Sequence, residues 1–375
     1  MLKGILFKNG YTQYFLALIF LSDILTRIYI DQEIFVSKYI KTLITIVILC
    51  ILFVKTERKL IFTLCISFVI LIIGLYSKSF DFVLKNVAQF LKYYSGILFF
   101  SILITQDNNE IYRKYLETIF ILFSLNILTA AIFEIQYLQT YHFSERFGYM
   151  PLFSSQNEYS FIAITSIVFF YQKLLHKSSV KNVLLLCITV IASLLVGTKV
   201  LYLFICLWFL YILFNSLGKI KSIFIISILI LIIYFTKSYW IVFLETYFKP
   251  IIYIYREKGL IDSLSSLRVS FFENRFNLQM EEFETINYLF GGQNLLFKTE
   301  MSIIDIVLFF GVLGAVLYFY NYWKFVIKFL SLNRVSIFYG WSVCILSFIA
   351  GYYFESYSAQ IYSVSFLYIY YFKPN

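Results

Sequence analysis

The sequence predicts an all-α, polytopic integral membrane bundle: about twelve transmembrane helices and one long extracytoplasmic loop containing an amphipathic helix. Three observations carry that prediction. Hydrophobic residues fill 61% of the 375 positions and charged residues only 14%, against about 25% charged in soluble domains. Mean hydropathy is +0.81. Apolar runs follow one another with short links, and only between Leu244 and Ile303 does the chain make a long polar excursion.

Taken in order, the runs lie near Gln13–Ile30, Tyr39–Val54, Leu60–Tyr76, Val87–Ile104, Tyr115–Leu138 and Tyr159–Leu175. The second half adds Val183–Val196, Val200–Phe214, Ile223–Leu244, Ile303–Tyr322, Val335–Tyr353 and Tyr357–Phe372. Hydrocarbon offers the backbone no partners, so each run must satisfy its own peptide groups as a helix. Phe 44 and Tyr 33 against Gly 14 and Pro 3 describe bulky helices with few breaks. One break is Gly197-Thr198-Lys199, where the spacing predicts a tight helical hairpin. Asp23 and Arg27, one turn apart, are expected to neutralise each other.

Cations set the orientation. Lys3 and Lys8, Lys55, Arg58 and Lys59, Arg113 and Lys114, Lys173, Lys177 and Lys181, Lys219 and Lys221, and Lys324, Lys328 and Arg334 share one side of a twelve-span count. The opposite short loops hold only Lys38, Lys41, Lys78, Lys85, Arg146 and Lys199. The positive-inside rule then puts both termini in the cytoplasm and the long loop outside. The +10 net charge sits at the ends of apolar runs, which fits a lipid bilayer and not nucleic acid. The N-terminal MLKGILFKNG lacks a small-residue cleavage site and reads as leading into an uncleaved first span. No fixed-period repeat or linker divides the chain, so residues 1–375 form a single membrane domain.

Cys50, Cys65, Cys187, Cys206 and Cys344 all lie in apolar runs without a CxxC and act as small hydrophobes. A P-loop, GxGxxG, HExxH and DxD are all missing, and only His142 and His176 exist. ATP-driven work, hydride transfer and a histidine metal cluster are therefore not expected, and neither a metal nor a cofactor is called for.

What remains is a set of polar residues on the outer side. Arg146 precedes the polar run Ser154 to Glu158, which includes Asn157, and Lys199 ends the Gly197 turn. In the long loop Val269, Phe272, Phe276, Met280 and Phe283 share a helical face edged by Arg268, Arg275 and Glu282, and the excursion turns at Gly291-Gly292. Guanidinium forks match phosphate oxygens and stay charged at any working pH. Each of these residues also has a structural reading: a loop salt bridge for Arg146, a snorkelling cation for Lys199, a helix that merely caps the bundle for the loop. Glu300 and Asp305 bracket the start of the next span. Either could take a proton from an attacking hydroxyl, and either could be a helix-start acid favoured by the dipole.

Four segments resemble the bacterial O-antigen polymerases (Wzy type) and, more distantly, the O-antigen ligases. These are Ser193-Leu194-Leu195-Val196-Gly197-Thr198-Lys199; Arg268 through Gly291-Gly292; Glu300 to Asp305 followed by Gly311-Val312-Leu313-Gly314; and the Arg146–Asn157 stretch. No histidine follows His176, which disfavours the ligases and leaves the general base open, and a strict arginine–ten residues–glycine spacing is absent. The resemblance implies a metal-independent glycosyltransferase of the bacterial inner membrane. Its donor and acceptor would be undecaprenyl-diphosphate-linked oligosaccharides, and a chain-length regulator and a flippase would work beside it. Arg268 would be catalytic with Glu300 or Asp305, while Arg146, Asn157, Lys199, Arg275, Gly291 and Gly292 would bind substrate. A flippase for lipid-linked oligosaccharides is the leading alternative, and a non-enzymatic assembly partner is a third. Flippases usually show two similar halves, whereas these halves are dissimilar.

Overall fold

The computed structural model describes residues 11–28, 36–54, 58–105, 109–140, 147–152, 156–236, 239, 242, 252–257, 259 and 268–372. Over these the chain is helical, with only two isolated β-bridges, Gln139 to Tyr149 and Leu330 to Phe372. We number the helices α1 (Tyr11–Ile28), α2 (Val36–Val54), α3 (Arg58–Gly74), α4 (Phe80–Leu103), α5 (Asn109–Ile132), α6 (Gln156–His176) and α7 (Val180–Leu195). There follow α8 (Lys199–Leu217), α9 (Lys219–Phe235), α10 (Arg268–Glu282), α11 (Thr285–Phe290), α12 (Ser302–Phe325), α13 (Arg334–Ala350) and α14 (Tyr357–Tyr371). Among the described residues each predicted apolar run overlaps one of these helices; the end of the run Ile223–Leu244 lies largely outside the described residues. Among the described residues, four stretches are long and apolar enough to cross a membrane: Val36–Val54, Glu110–Ile132, Lys199–Leu217 and Ser302–Phe329. The molecule is a helical bundle of membrane-protein character.

Helix α14 stands at its centre, buried along nearly its whole length against α4 and α6. Small residues allow this. A Cβ on Gly96 of α4 would sit 2.9 Å from the Gln360 Oε1 of α14, and the Gly96 N–H donates to that same oxygen at 3.3 Å. Serines on α14 take up the hydroxyls of facing tyrosines: Ser365 meets Tyr112 at 2.6 Å, and Ser363 accepts from Tyr339 at 2.7 Å and Tyr353 at 2.8 Å. Where the surroundings are apolar on both faces, such pairs hold helices together that the hydrophobic effect alone would not.

The break at Gly197 is present, with φ of 74° and helix starting again at Lys199. The two arms meet less tightly than predicted: α7 packs mainly on α5 and α6, and α8 on α6, α9 and α13, with a weaker contact between the arms. The turn itself is filled: a Cβ on Gly197 would lie 2.2 Å from the Phe147 carbonyl oxygen, so the loop after α5 occupies it. The Tyr149 N–H donates to Leu195 O at 2.9 Å and pins that loop there.

A second knot of backbone joins α3, α11 and α12. Gly311 has φ 66° and ψ 175° inside α12, breaking the helix that the sequence reads as one span. The chain at Gly291-Gly292 packs into that break, and the Gly292 N–H donates to Phe309 O at 3.1 Å. Buried Asn287 ties it to α3, donating to Gly74 O at 2.8 Å and to Gly291 O at 2.7 Å. This knot fixes the loop segment 285–301 on the bundle, which positions the site.

Candidate functional site

The ends of the helices nearest the long loop gather most of the buried charge. Lys41 on α2 places its Nζ 2.6 Å from Asp23 Oδ1 on α1 and 4.0 Å from Glu158 Oε1 on α6. Asp23 also accepts from Ser37 Oγ at 2.6 Å and from Ser358 Oγ at 2.8 Å. Ser356 Oγ donates to Glu158, as does the Ser358 N–H at 3.3 Å. Four helices thus contribute to one ionic cluster, and the start of α14 orients both carboxylates. A carboxylate buried at this depth persists only when paired and hydrogen-bonded. Replacing Ser358 with alanine removes the only donor to Asp23 Oδ2 among the described residues. It should cost about 1.5–3 kcal/mol, as for hydrogen bonds to charged groups. Thermal unfolding in detergent checks this, and an unchanged midpoint would refute it.

Beside the cluster opens a cavity of about 440 Å³ lined by Lys38, Lys41, Lys85, Lys92, Glu158 and Tyr357, among others. That volume falls within the roughly 300–1,000 Å³ of small-molecule sites. Asp23 neutralises Lys41, but among the described residues Lys38, Lys85 and Lys92 form no ion pair. The cavity is therefore electropositive. Lys92 is half-buried on α4, in electrostatic reach of Glu158, Lys41, Lys298 and Glu355.

A second, smaller cavity of about 180 Å³ is lined by Phe271, Arg275, Lys298, Glu300, Tyr352 and Glu355. Residues close in sequence line the two cavities: Leu295 and Tyr357 the first, Leu296 and Glu355 the second. Lys298 Nζ lies 2.5 Å from Glu355 Oε2. The Arg275 guanidinium sits 5.5 Å from the centre of the Phe271 ring and donates to the Leu296 carbonyl. Glu300 and Tyr352 both have left-handed backbone, with φ of 62° and 71°. Strained non-glycine residues of this kind concentrate at functional sites.

The expected site residues divide. Glu300 and Arg275 meet in the second cavity. Asp305 is fully buried and lines neither cavity; its Oδ1 accepts from Gln293 Nε2 and the Thr299 N–H, both at 2.8 Å, and so holds the loop before α12. Gly291 and Gly292 are buried against backbone, so their role here is packing. Asn157 is half-buried one residue before Glu158 and outside the cavity lining, and Lys199 opens α8 beside the Phe147–Met150 loop. Arg146 lies outside the described residues. Arg268 opens α10, but its side chain lies outside the described part. The expected pairing of Asp23 with Arg27 is replaced by Asp23 with Lys41, because Arg27 turns away and stacks on the Tyr137 ring at 5.2 Å.

Sequence reasoning missed Lys38, Lys41, Lys85, Lys92, Glu158, Lys298 and Glu355 as site members. A partial signal was present for two of them: Lys41 and Glu158 carry opposite charge near the starts of α2 and α6, although their meeting was not legible. Among the described residues no group of three or more His, Cys, Asp or Glu could hold a metal ion. The chemistry on offer is that of ammonium groups holding an anion beside two carboxylates and aromatic faces. Compared with known proteins, the chain matches no family model, no curated protein and no solved structure.

Proposed function

We propose that this protein is a metal-independent membrane glycosyltransferase of the O-antigen polymerase type. It would join oligosaccharide units carried on undecaprenyl diphosphate at the outer face of the bacterial inner membrane. One observation carries the reading: the cavity at the loop end is lined by four lysines, three of them without an ion-pair partner among the described residues. An anionic diphosphate head at membrane depth complements such a cavity, and ammonium groups are established phosphate ligands.

In this reading the chain crosses the membrane twelve times, both termini are cytoplasmic, and the loop end faces outward. Lys38, Lys85 and Lys92 hold the donor diphosphate. The acceptor hydroxyl oxygen bonds to the anomeric carbon of the donor sugar as the bond from that carbon to the diphosphate oxygen breaks. The hydroxyl proton passes to a carboxylate, with Glu300 of the adjoining cavity placed on the acceptor side. The diphosphate leaves with its electron pair, and its growing charge is met by lysines already in position. Arg275 belongs to the acceptor wall.

A deletion strain provides the test. Loss of the protein should leave single lipid-linked repeat units on the outer side and remove the polymer ladder from glycan gels. Units trapped on the inner side would instead identify a flippase.

A further inference from the structure

Two carboxylates line the second cavity, Glu300 and Glu355, and a hydroxyl that attacks a sugar gives its proton to one base. The two are held differently. Glu300 belongs to the loop segment before α12 and is half-buried on left-handed backbone. Glu355 stands two residues before α14 and is only 7% exposed. Its Oε2 lies 2.5 Å from Lys298 Nζ, whereas Oε1 accepts no hydrogen bond among the described residues. One oxygen is fixed by a cation, and the other is left for whatever enters the cavity. A carboxylate buried to this degree stays ionised only with such a partner, and the ionised form is the one that takes a proton.

The neighbouring acids are already committed. Glu158 Oε1 accepts from Ser356 and from the Ser358 N–H. Asp305 lines neither cavity and holds Gln293 and Thr299. Glu355 is also in electrostatic reach of Lys92, which lines the lysine cavity, so it stands on the side of its own cavity nearer the diphosphate. We propose that Glu355 is the general base of the transfer, with Lys298 as the residue that positions it. The proposal rests on the glycosyltransferase reading above and names the carboxylate that acts in it. The acceptor hydroxyl proton moves to Glu355 Oε1 while the hydroxyl oxygen bonds to the anomeric carbon. The electron pair of the broken bond leaves with the diphosphate, and Glu355 then returns the proton to water. The alternative is a fastening: an ion pair that only ties the loop segment to α14.

Full-length protein in nanodiscs separates the two, given the lipid-linked repeat units that accumulate in the deletion strain. Glu355→Gln keeps the shape and an oxygen for Lys298. It should lower kcat by about 10²–10⁴-fold with little change in KM. Undecaprenyl diphosphate should bind this variant at least as well as the wild type, because a negative charge near Lys92 is gone. Lys298→Met leaves the base in place but unoriented and should cost about tenfold in kcat. Joining both substitutions should give a protein no faster than Glu355→Gln. A fastening gives the opposite result: neutralising both partners restores turnover, since neither charge is left buried alone, and that outcome overturns the proposal. Should the glutamine variant fail to fold, Glu355→Asp decides. It keeps the charge and draws it back by one methylene, which should lower kcat about tenfold or more; an unchanged kcat overturns the assignment. Wild-type turnover by Glu355→Gln removes Glu355 and leaves the glycosyltransferase reading standing. If the wild type itself neither binds undecaprenyl diphosphate nor lengthens the units, that reading falls and the assignment with it.

Discussion

Lys92→Met should lower polymer formation by about 10²–10³-fold, the cost of removing one preorganised donor from a developing charge, while the protein still inserts and purifies. Methionine keeps the unbranched stem and deletes only the ammonium. The group it deletes lies between two sets of charges, in reach of Glu158 and Lys41 and of Lys298 and Glu355. Without it the cavity loses a cation and keeps Glu158, which repels a diphosphate. Lys92→Arg should retain part of the activity, since charge survives while the geometry changes. Polymer yield from a lipid-linked donor, together with donor binding, is the measurement. A Lys92→Met protein that polymerises like the wild type would remove the lysine cavity from the mechanism.

Gly291→Ala should be the most destabilising single-methyl addition in the loop region. The new Cβ would sit 2.1 Å from Phe309 O and 2.6 Å from Gly311 N, on a backbone with φ of 81°. Both obstacles are backbone, so nothing rotates away. Left-handed strain and overpacking together come to roughly 2–6 kcal/mol. Gly311→Ala meets Gly291 N at 2.4 Å from the other side and should cost a similar amount. Unfolding midpoints in detergent check this, with Gly340→Ala, whose new Cβ meets nothing within 4 Å, as a neutral reference. An unchanged midpoint for Gly291→Ala would mean that the contact between the loop and the break in α12 contributes nothing to the fold.

These glycines show where sequence reading stops. The pair at Gly291-Gly292 was legible as a turn, because glycine permits left-handed backbone. That it closes on a second left-handed glycine, Gly311, twenty residues later was not, since an isolated glycine inside an apolar run reads as an ordinary packing position. Asp305 taught the same lesson. An acid inside an apolar boundary signals a task, but whether it faces a substrate or a turn depends on what stands opposite it. Here that is Gln293 and Thr299.

Composition and periodicity alone determined that the chain is helical and belongs in a membrane, because apolar runs of this length can satisfy their peptide groups in no other local way. They also located the loop and its amphipathic helix, and Glu300 and Arg275 within one region. Which charges meet was settled only by the tertiary structure. Residues 23, 41, 92, 158, 298, 355 and 358 come from distant parts of the chain. Their convergence depends on the rotation of each helix about its axis and on which helices are neighbours. Contacts between helices set both, and no single run encodes them.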